Sequence, residues 1–315
     1  MASSQANYEN PIDFYHKYYN ILVPLNITKG KKKYLGDSEN RKCRFCGKKK
    51  GDTTFKMLAH ALPEFIGNKT LISNYECDIC NERFSRTIED HFGKYLGLPR
   101  TLSKIPGKKS VPSFKDKNLR IDYKSSEPDI ILTPDEQDDR IVEIQEDIRQ
   151  ISIEAKSQPY IPRAIYKCLT KMAISIMPES ELLHFGEAIQ WINMENHNSG
   201  ILNYPLNCYL AFTDEVKSFD GKIHTFLLKR KNDSDLVHYM IYVVAFGTYF
   251  FQIVVPCPKL DHKDKGISLQ LFPLSPYTSY PYREDKYKIV ELDLSSKEVV
   301  KDERLKISMK YEEKL

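Results

Sequence analysis

Cys43-Arg44-Phe45-Cys46 and, thirty residues further on, Cys77-Asp78-Ile79-Cys80 are the stretches that decide how this chain folds. Each CxxC pair turns two thiolates toward one point, and four thiolates complete the tetrahedral shell of Zn²⁺. Gly47, directly after the first pair, suits the tight turn of a knuckle. Two such pairs in one short segment predict a structural zinc held by Cys43, Cys46, Cys77 and Cys80. A redox CxxC would need only one pair. Cys168, Cys208 and Cys257 stand alone in apolar runs and read as core residues.

The segment around the knuckles is basic. Residues 1–120 hold 23 lysines and arginines against 12 aspartates and glutamates, whereas the remainder holds 24 against 31. Lys29, Lys31, Lys32, Lys33, Lys48, Lys49 and Lys50 bracket the first pair. A positive front half facing an acidic remainder suits a polyanion, because each neutralised phosphate releases counterions. The polar start shows no signal-peptide pattern, and no apolar stretch reaches the ~20 residues of a membrane span. A cytoplasmic, reducing setting is therefore expected, with no membrane partner and no disulfide framework.

Between the knuckles runs Phe55-Lys56-Met57-Leu58-Ala59-His60-Ala61-Leu62-Pro63-Glu64-Phe65-Ile66-Gly67-Asn68-Lys69-Thr70-Leu71, and Asn81 follows the second pair. Together with the knuckles, residues 40–97 resemble the HNH (ββα-metal) endonucleases, which often wear two CxxC pairs as an external staple. The resemblance implies His60 as general base, Asn68 as the middle asparagine that holds the imidazole or the loop, and Asn81 as an oxygen ligand of a catalytic Mg²⁺ or Mn²⁺. Such a division suits phosphodiester hydrolysis, which needs a base for water and a cation for the phosphate. Many members carry an acid just before the histidine, where this chain has Leu58 and Ala59. Glu64, Asp78, Glu89 and Asp90 are the substitute carboxylates on offer, with His91 as a further ligand. Lys69, Arg83, Arg86 and Lys94, with Arg100 beyond them, are placed to meet DNA phosphates.

The rest of the chain sets the wider frame. A helix with Phe14, Tyr15, Tyr18 and Tyr19 and a basic lead-in fill residues 1–40, the zinc module fills 41–100, and a connector with strands fills 101–155. Residues 156–315 form a further domain, opening on a helix from Pro162 to Met177. A second helix covers Ser180 to Trp191. Strands follow at Cys208 to Phe212, Ile223 to Lys229, Val237 to Ala245, Tyr249 to Val255 and Ile267 to Phe272. The fold class is α+β: a small zinc-stapled ββα-metal module followed by a mixed α/β C-terminal domain.

By this reading the protein is a metal-dependent DNA endonuclease, of a kind the resemblance connects with bacterial anti-phage defence. The C-terminal domain would provide control through a ligand or protein partner, homodimerisation or target choice. Two alternatives stand beside it: a zinc-containing nucleic-acid-binding protein whose core no longer cuts, and a zinc-stapled adaptor. A second nuclease pattern, Pro128-Asp129 with Glu154-Ala155-Lys156, is short enough to arise often by chance.

Overall fold

A computed structural model of the chain describes residues 11–124, 127–134, 141–197, 204–213, 218–261 and 287–310. Helix α1 (Pro11–Tyr18) runs directly into strand β1 (Tyr19–Ile27). Two short strands follow, β2 (Lys33–Leu35) and β3 (Leu71–Ser73). Helix α2 (Asp78–Phe84), a π-helical turn (Ser85–Glu89) and α3 (Asp90–Leu102) make one continuous helical run. The connector supplies β4 (Phe114–Lys115), β5 (Leu119–Lys124), β6 (Glu127–Pro134), β7 (Val142–Gln145) and β8 (Gln150–Lys156). Helices α4 (Pro162–Ile176), α5 (Glu179–Leu182) and α6 (Gly186–Asn193) come next. The chain then forms β9 (Asn207–Thr213), β10 (Ile223–Arg230), β11 (Met240–Phe246), β12 (Tyr249–Val254), β13 (Tyr287–Asp293) and β14 (Arg304–Lys310). The fold is α+β, and the strand expected at Ile267 to Phe272 lies outside the described residues.

The largest sheet has the order β1-β10-β11-β12-β9-β13, with every neighbouring pair antiparallel. Its first strand is a departure from expectation, since residues 1–40 read as a helix and a lead-in. Pro24 argues against a central strand because it lacks an N–H. At the sheet edge that defect is tolerated, and a register shift between Ile21 and Val23 absorbs the irregularity. The N-terminal segment is thus covalently ahead of the zinc module but paired with β10, about two hundred residues later in the chain.

Helix α4 is the hub. Proline at its first turn starts it, and it packs against the π turn, α3, α6, β11 and β12. Nearly every side chain along it is buried, not only the apolar stripe. Its polar residues are satisfied internally: Thr170 Oγ1 donates to Tyr166 O, Ser175 Oγ to Lys171 O, and Lys167 Nζ to Met194 O. One apolar core runs from Cys43, Phe45 and Phe84 through α4 into β11 and β12. Phe92 of α3 meets Phe65 at 5.5 Å and Phe251 of β12 at 5.2 Å, both edge-on, so one ring bridges zinc segment and sheet. Burying such a side chain contributes roughly 1.5–3 kcal/mol. One core therefore joins the cysteine segment to residues from Tyr160 onward. A second, smaller core lies beneath β4–β8, formed by Leu98, Leu102, Phe114, Leu119, Ile121 and Ile153 among others.

Candidate functional site

The first knuckle is a backbone device. Cys43 N donates to Lys48 O at 2.9 Å and Gly47 N to Cys43 O at 2.8 Å, with Gly47 at φ +76°, where a side chain would be strained. In the second, Cys77 caps α2, Cys80 lies in its first turn, and Asn81 N donates to Cys77 O. The four sulfurs lie within 4.8 Å of one another, and Cys46 Sγ is 3.7 Å from Cys77 Sγ. Four thiolates about 2.3 Å from a central zinc would stand about 3.8 Å apart, so the donor set and its spacing fit. A hydrogen bond from the Cys80 thiol holds Cys43 down at about 5 despite its burial, which keeps a thiolate ready for a cation.

The four-cysteine cluster is clamped from the far half of the chain. Arg44, between the first two cysteines, sends its NH1 group to Ile174 O, Ser175 O and Met177 O, the open carbonyls ending α4. Its guanidinium also lies 3.6 Å over the Tyr75 ring. Asn193 of α6 donates to Phe45 O, and Arg83 reaches Asn193 Oδ1 at 2.6 Å and Cys80 Sγ at 3.3 Å. Sequence reading missed Arg44 and Asn193, because neither carries a local signal of a contact more than a hundred residues away.

Below the knuckles lies a ββα element. Residues 59–61 pair antiparallel with 71–73: Ala61 N donates to Leu71 O and Ser73 N to Ala59 O, placing His60 opposite Ile72. The helical run from α2 to α3 completes the unit. The His60 side chain is 12% exposed, and its Nδ1 stands 4.0 Å from Glu64 Oε2. Burial lowers its pKa below the usual 6.5, with Glu64 and Glu89 pulling upward and Lys69 and Lys171 downward. His60 is thus neutral at pH 7, the form a base requires.

Asn68 is fully buried. Its amide donates to Leu62 O and Leu71 O, and its oxygen accepts from Thr70 N and Leu71 N. Its donors and acceptor are spent on the loop, and none reaches the imidazole. Gly67 just before it, at φ +96°, closes the short turn after Pro63, and Phe219 fills the space a side chain would need. Asn81 lies half-buried on α2, its side chain without a hydrogen-bond partner among the described residues.

Of the substitute carboxylates, Asp78 receives Thr54 Oγ1, Lys56 N and Met57 N, and Asp90 pairs with Lys94 at 2.6 Å. His91 accepts from Ile161 N and stands edge-on to His197. Glu64 and Glu89 remain as the carboxylates that His60 feels. Glu89 is held by Lys171, which bonds Glu89 Oε1 at 3.0 Å and Glu76 Oε2 at 2.9 Å. Lys171 is 1% exposed and Glu76 0%. Burial pushes the Glu76 carboxyl up to about 7, and the two carboxylates overcome the burial of Lys171 to hold its ammonium protonated. The signal for Lys171 was its place, with Lys167 one turn before it, inside an otherwise apolar helix.

The cations expected to meet phosphates each have a partner within the chain. Arg83 is committed to Asn193 and Cys80, because its position on α2 turns it toward α6. Lys69 is tied to Glu64, Gly107 O and Lys108 O. Lys94 pairs with Asp90 one turn earlier, and Arg86, 66% exposed, pairs with Glu195 at 3.6 Å. Glu154 and Lys156 of the second pattern pair with Lys306 and Asp302, while the side chains of Pro128 and Asp129 lie outside the described residues.

Among the described residues, the four cysteines are the one group of three or more metal-binding side chains that converge, and no helix is long and apolar enough to cross a membrane. Comparison with family models matches residues 43–96 to the family described as HNH endonuclease. Searches of curated proteins and of solved structures found no match. With that match laid over the converging thiols, residues 43–96 are similar to an HNH endonuclease module, with two CxxC knuckles whose four thiols could hold one metal ion.

Proposed function

We propose that the protein is a metal-dependent endonuclease that hydrolyses phosphodiester bonds of DNA. The observation that carries this reading is the neutral, mostly buried His60, fixed opposite Ile72 with Glu64 at 4.0 Å, inside the segment that matches the nuclease family. His60 takes the proton of the attacking water. Glu64 orients the ring and offers an oxygen to a cation, and Asn81 offers its free amide oxygen. Mg²⁺ or Mn²⁺ at this place would supply positive charge to the phosphate, resting on one or two protein groups with water and phosphate oxygens completing the shell, as Mg²⁺ commonly does. The zinc, closed by four sulfurs, has a purely structural role.

Residues beyond 156 reach the module through Arg44, Asn193 and Lys171, which supports a controlling role for that half. We extend the proposal to an anti-phage setting on the resemblance alone. Ala59, buried where an acid is common, favours the second reading, a nucleic-acid-binding protein that does not cut. Supercoiled plasmid incubated with the zinc-loaded chain and Mg²⁺ or Mn²⁺ separates the two. Nicked or linear product supports the first reading, and salt-sensitive binding without product supports the second.

A further inference from the structure

A cavity of about 450 Å³ opens beside the first knuckle, away from the groups assigned to catalysis. Ser38, Arg41, Lys50, Thr53, Phe55 and Lys56 line it. Arg41 is held in place by two backbone carbonyls of its own wall: Nε donates to Ser38 O at 3.2 Å and NH1 to Phe55 O at 2.8 Å. That fixes the plane of the guanidinium and leaves its other N–H groups unspent. Arg41 and Lys50 have no carboxylate partner among the described residues, the Lys56 charge acts on Asp78, and none of the lining residues is acidic. Three acids lie close by in the chain: Asp78 receives Thr54 Oγ1, Lys56 N and Met57 N, Asp37 receives Glu39 N and Asn40, and the exposed Asp52 receives Lys49 N at 3.4 Å.

A pre-set guanidinium fork and two neighbouring ammonium groups are donors that suit a phosphate. The half-buried Phe55 adds an apolar surface for the sugar or base attached to it.

We propose that this cavity is a phosphate-binding subsite that takes a backbone phosphate of the nucleic-acid strand. Arg41 is its fixed fork, and Lys50 and Lys56 are its supporting cations. The choice of a strand as the source rests on the function proposed above; the phosphate chemistry does not. This subsite gives the basic front half a defined point of contact, which Arg83 and Lys69 do not provide.

The test is binding by the zinc-loaded full chain to a labelled DNA duplex, read by fluorescence anisotropy across a salt series with no divalent cation added. Lys50→Gln with Lys56→Gln should weaken binding about tenfold at moderate salt, and the slope of log affinity against log salt should flatten by about one to two. Arg41→Lys, which keeps the charge and loses the fork, should also weaken binding. Lys31→Gln with Lys32→Gln, outside the cavity, should change both quantities far less. Calorimetry with adenosine monophosphate and with inorganic phosphate forms the other arm. Nucleotide binding that is lost in the cavity variants while duplex binding is unmoved keeps the phosphate site and reassigns its source to a free nucleotide. If neither probe responds to the cavity variants, or the control lysines matter equally, the proposal is overturned. Binding is read without cleavage, so a chain that binds here and never cuts would refute only the function proposed above.

Discussion

His60 and Asn68 lie eight residues apart on one loop and do different work. His60→Ala removes a mostly buried ring that makes no hydrogen bond among the described residues, so cleavage should drop about 10²–10⁴-fold while zinc content holds and thermal stability falls far less than cleavage. Asn68→Ala strips hydrogen-bond partners from Leu62 O, Leu71 O, Thr70 N and Leu71 N in a buried loop. It should cost about 2–4 kcal/mol, with stability and cleavage falling together in a denaturant melt and a plasmid assay. The pH profile follows from the same ring. A base works when neutral, and burial holds the His60 pKa below 6.5, so cleavage should persist below that pH and fade only as the lowered pKa is crossed. Glu64 pulls that pKa upward, so Glu64→Gln should move the acid limb to lower pH, whatever it does to the maximal rate. A limb that stays put or moves up would remove Glu64 from the site.

At the scale of elements, α2 and α4 carry the contrasts. Arg83 on α2 faces Asn193 and Cys80, whereas Arg86, one turn on, is exposed and pairs with Glu195. Arg83→Ala should therefore speed zinc loss to a chelator and leave the salt dependence of DNA binding unchanged. Arg86→Ala should do the reverse, at a stability cost of about 1 kcal/mol or less. On α4, Lys171→Met leaves Glu76 buried without its cation and should cost about 3–5 kcal/mol in a denaturant melt, much of it recovered when Glu76→Gln is added. The start and length of α4 were legible in the sequence, since Pro162 and the apolar spacing after it are local signals. Its burial on every side was not legible, because the partners of Lys171 lie about ninety residues earlier. β1 was hidden for a related reason: Pro24 weakens the strand pattern, and only pairing with β10 shows that an edge tolerates it. The convergence of Cys43, Cys46, Cys77 and Cys80 was fully legible, because CxxC spacing is itself the geometry. The roles of Asn68, Lys69 and Arg83 depend on which way each side chain turns, and a pattern of letters does not contain that.

Taken whole, the segment that matches the HNH endonuclease family is built into a larger core. Phe45, Phe84 and Phe92 belong to the same apolar cluster as α4 and the central strands, and three polar clamps join the four-cysteine segment to α4 and α6. Thiolate coordination supplies folding free energy directly, so chelation should destabilise both halves. Calorimetry should show one main transition that shifts downward as a unit when zinc is removed. A sheet transition that stays in place would mean that the shared core is not cooperative. Whether His60 drives metal-dependent cutting of DNA is read from a cleavage time course on supercoiled plasmid. Parent and His60→Ala chains, each carrying one zinc, are compared while Mn²⁺ is titrated. Cutting by the parent should rise with Mn²⁺ and stop without it, with almost none by His60→Ala at any concentration. Equal rates for the two chains, or cutting that needs no added cation, would contradict that role for His60.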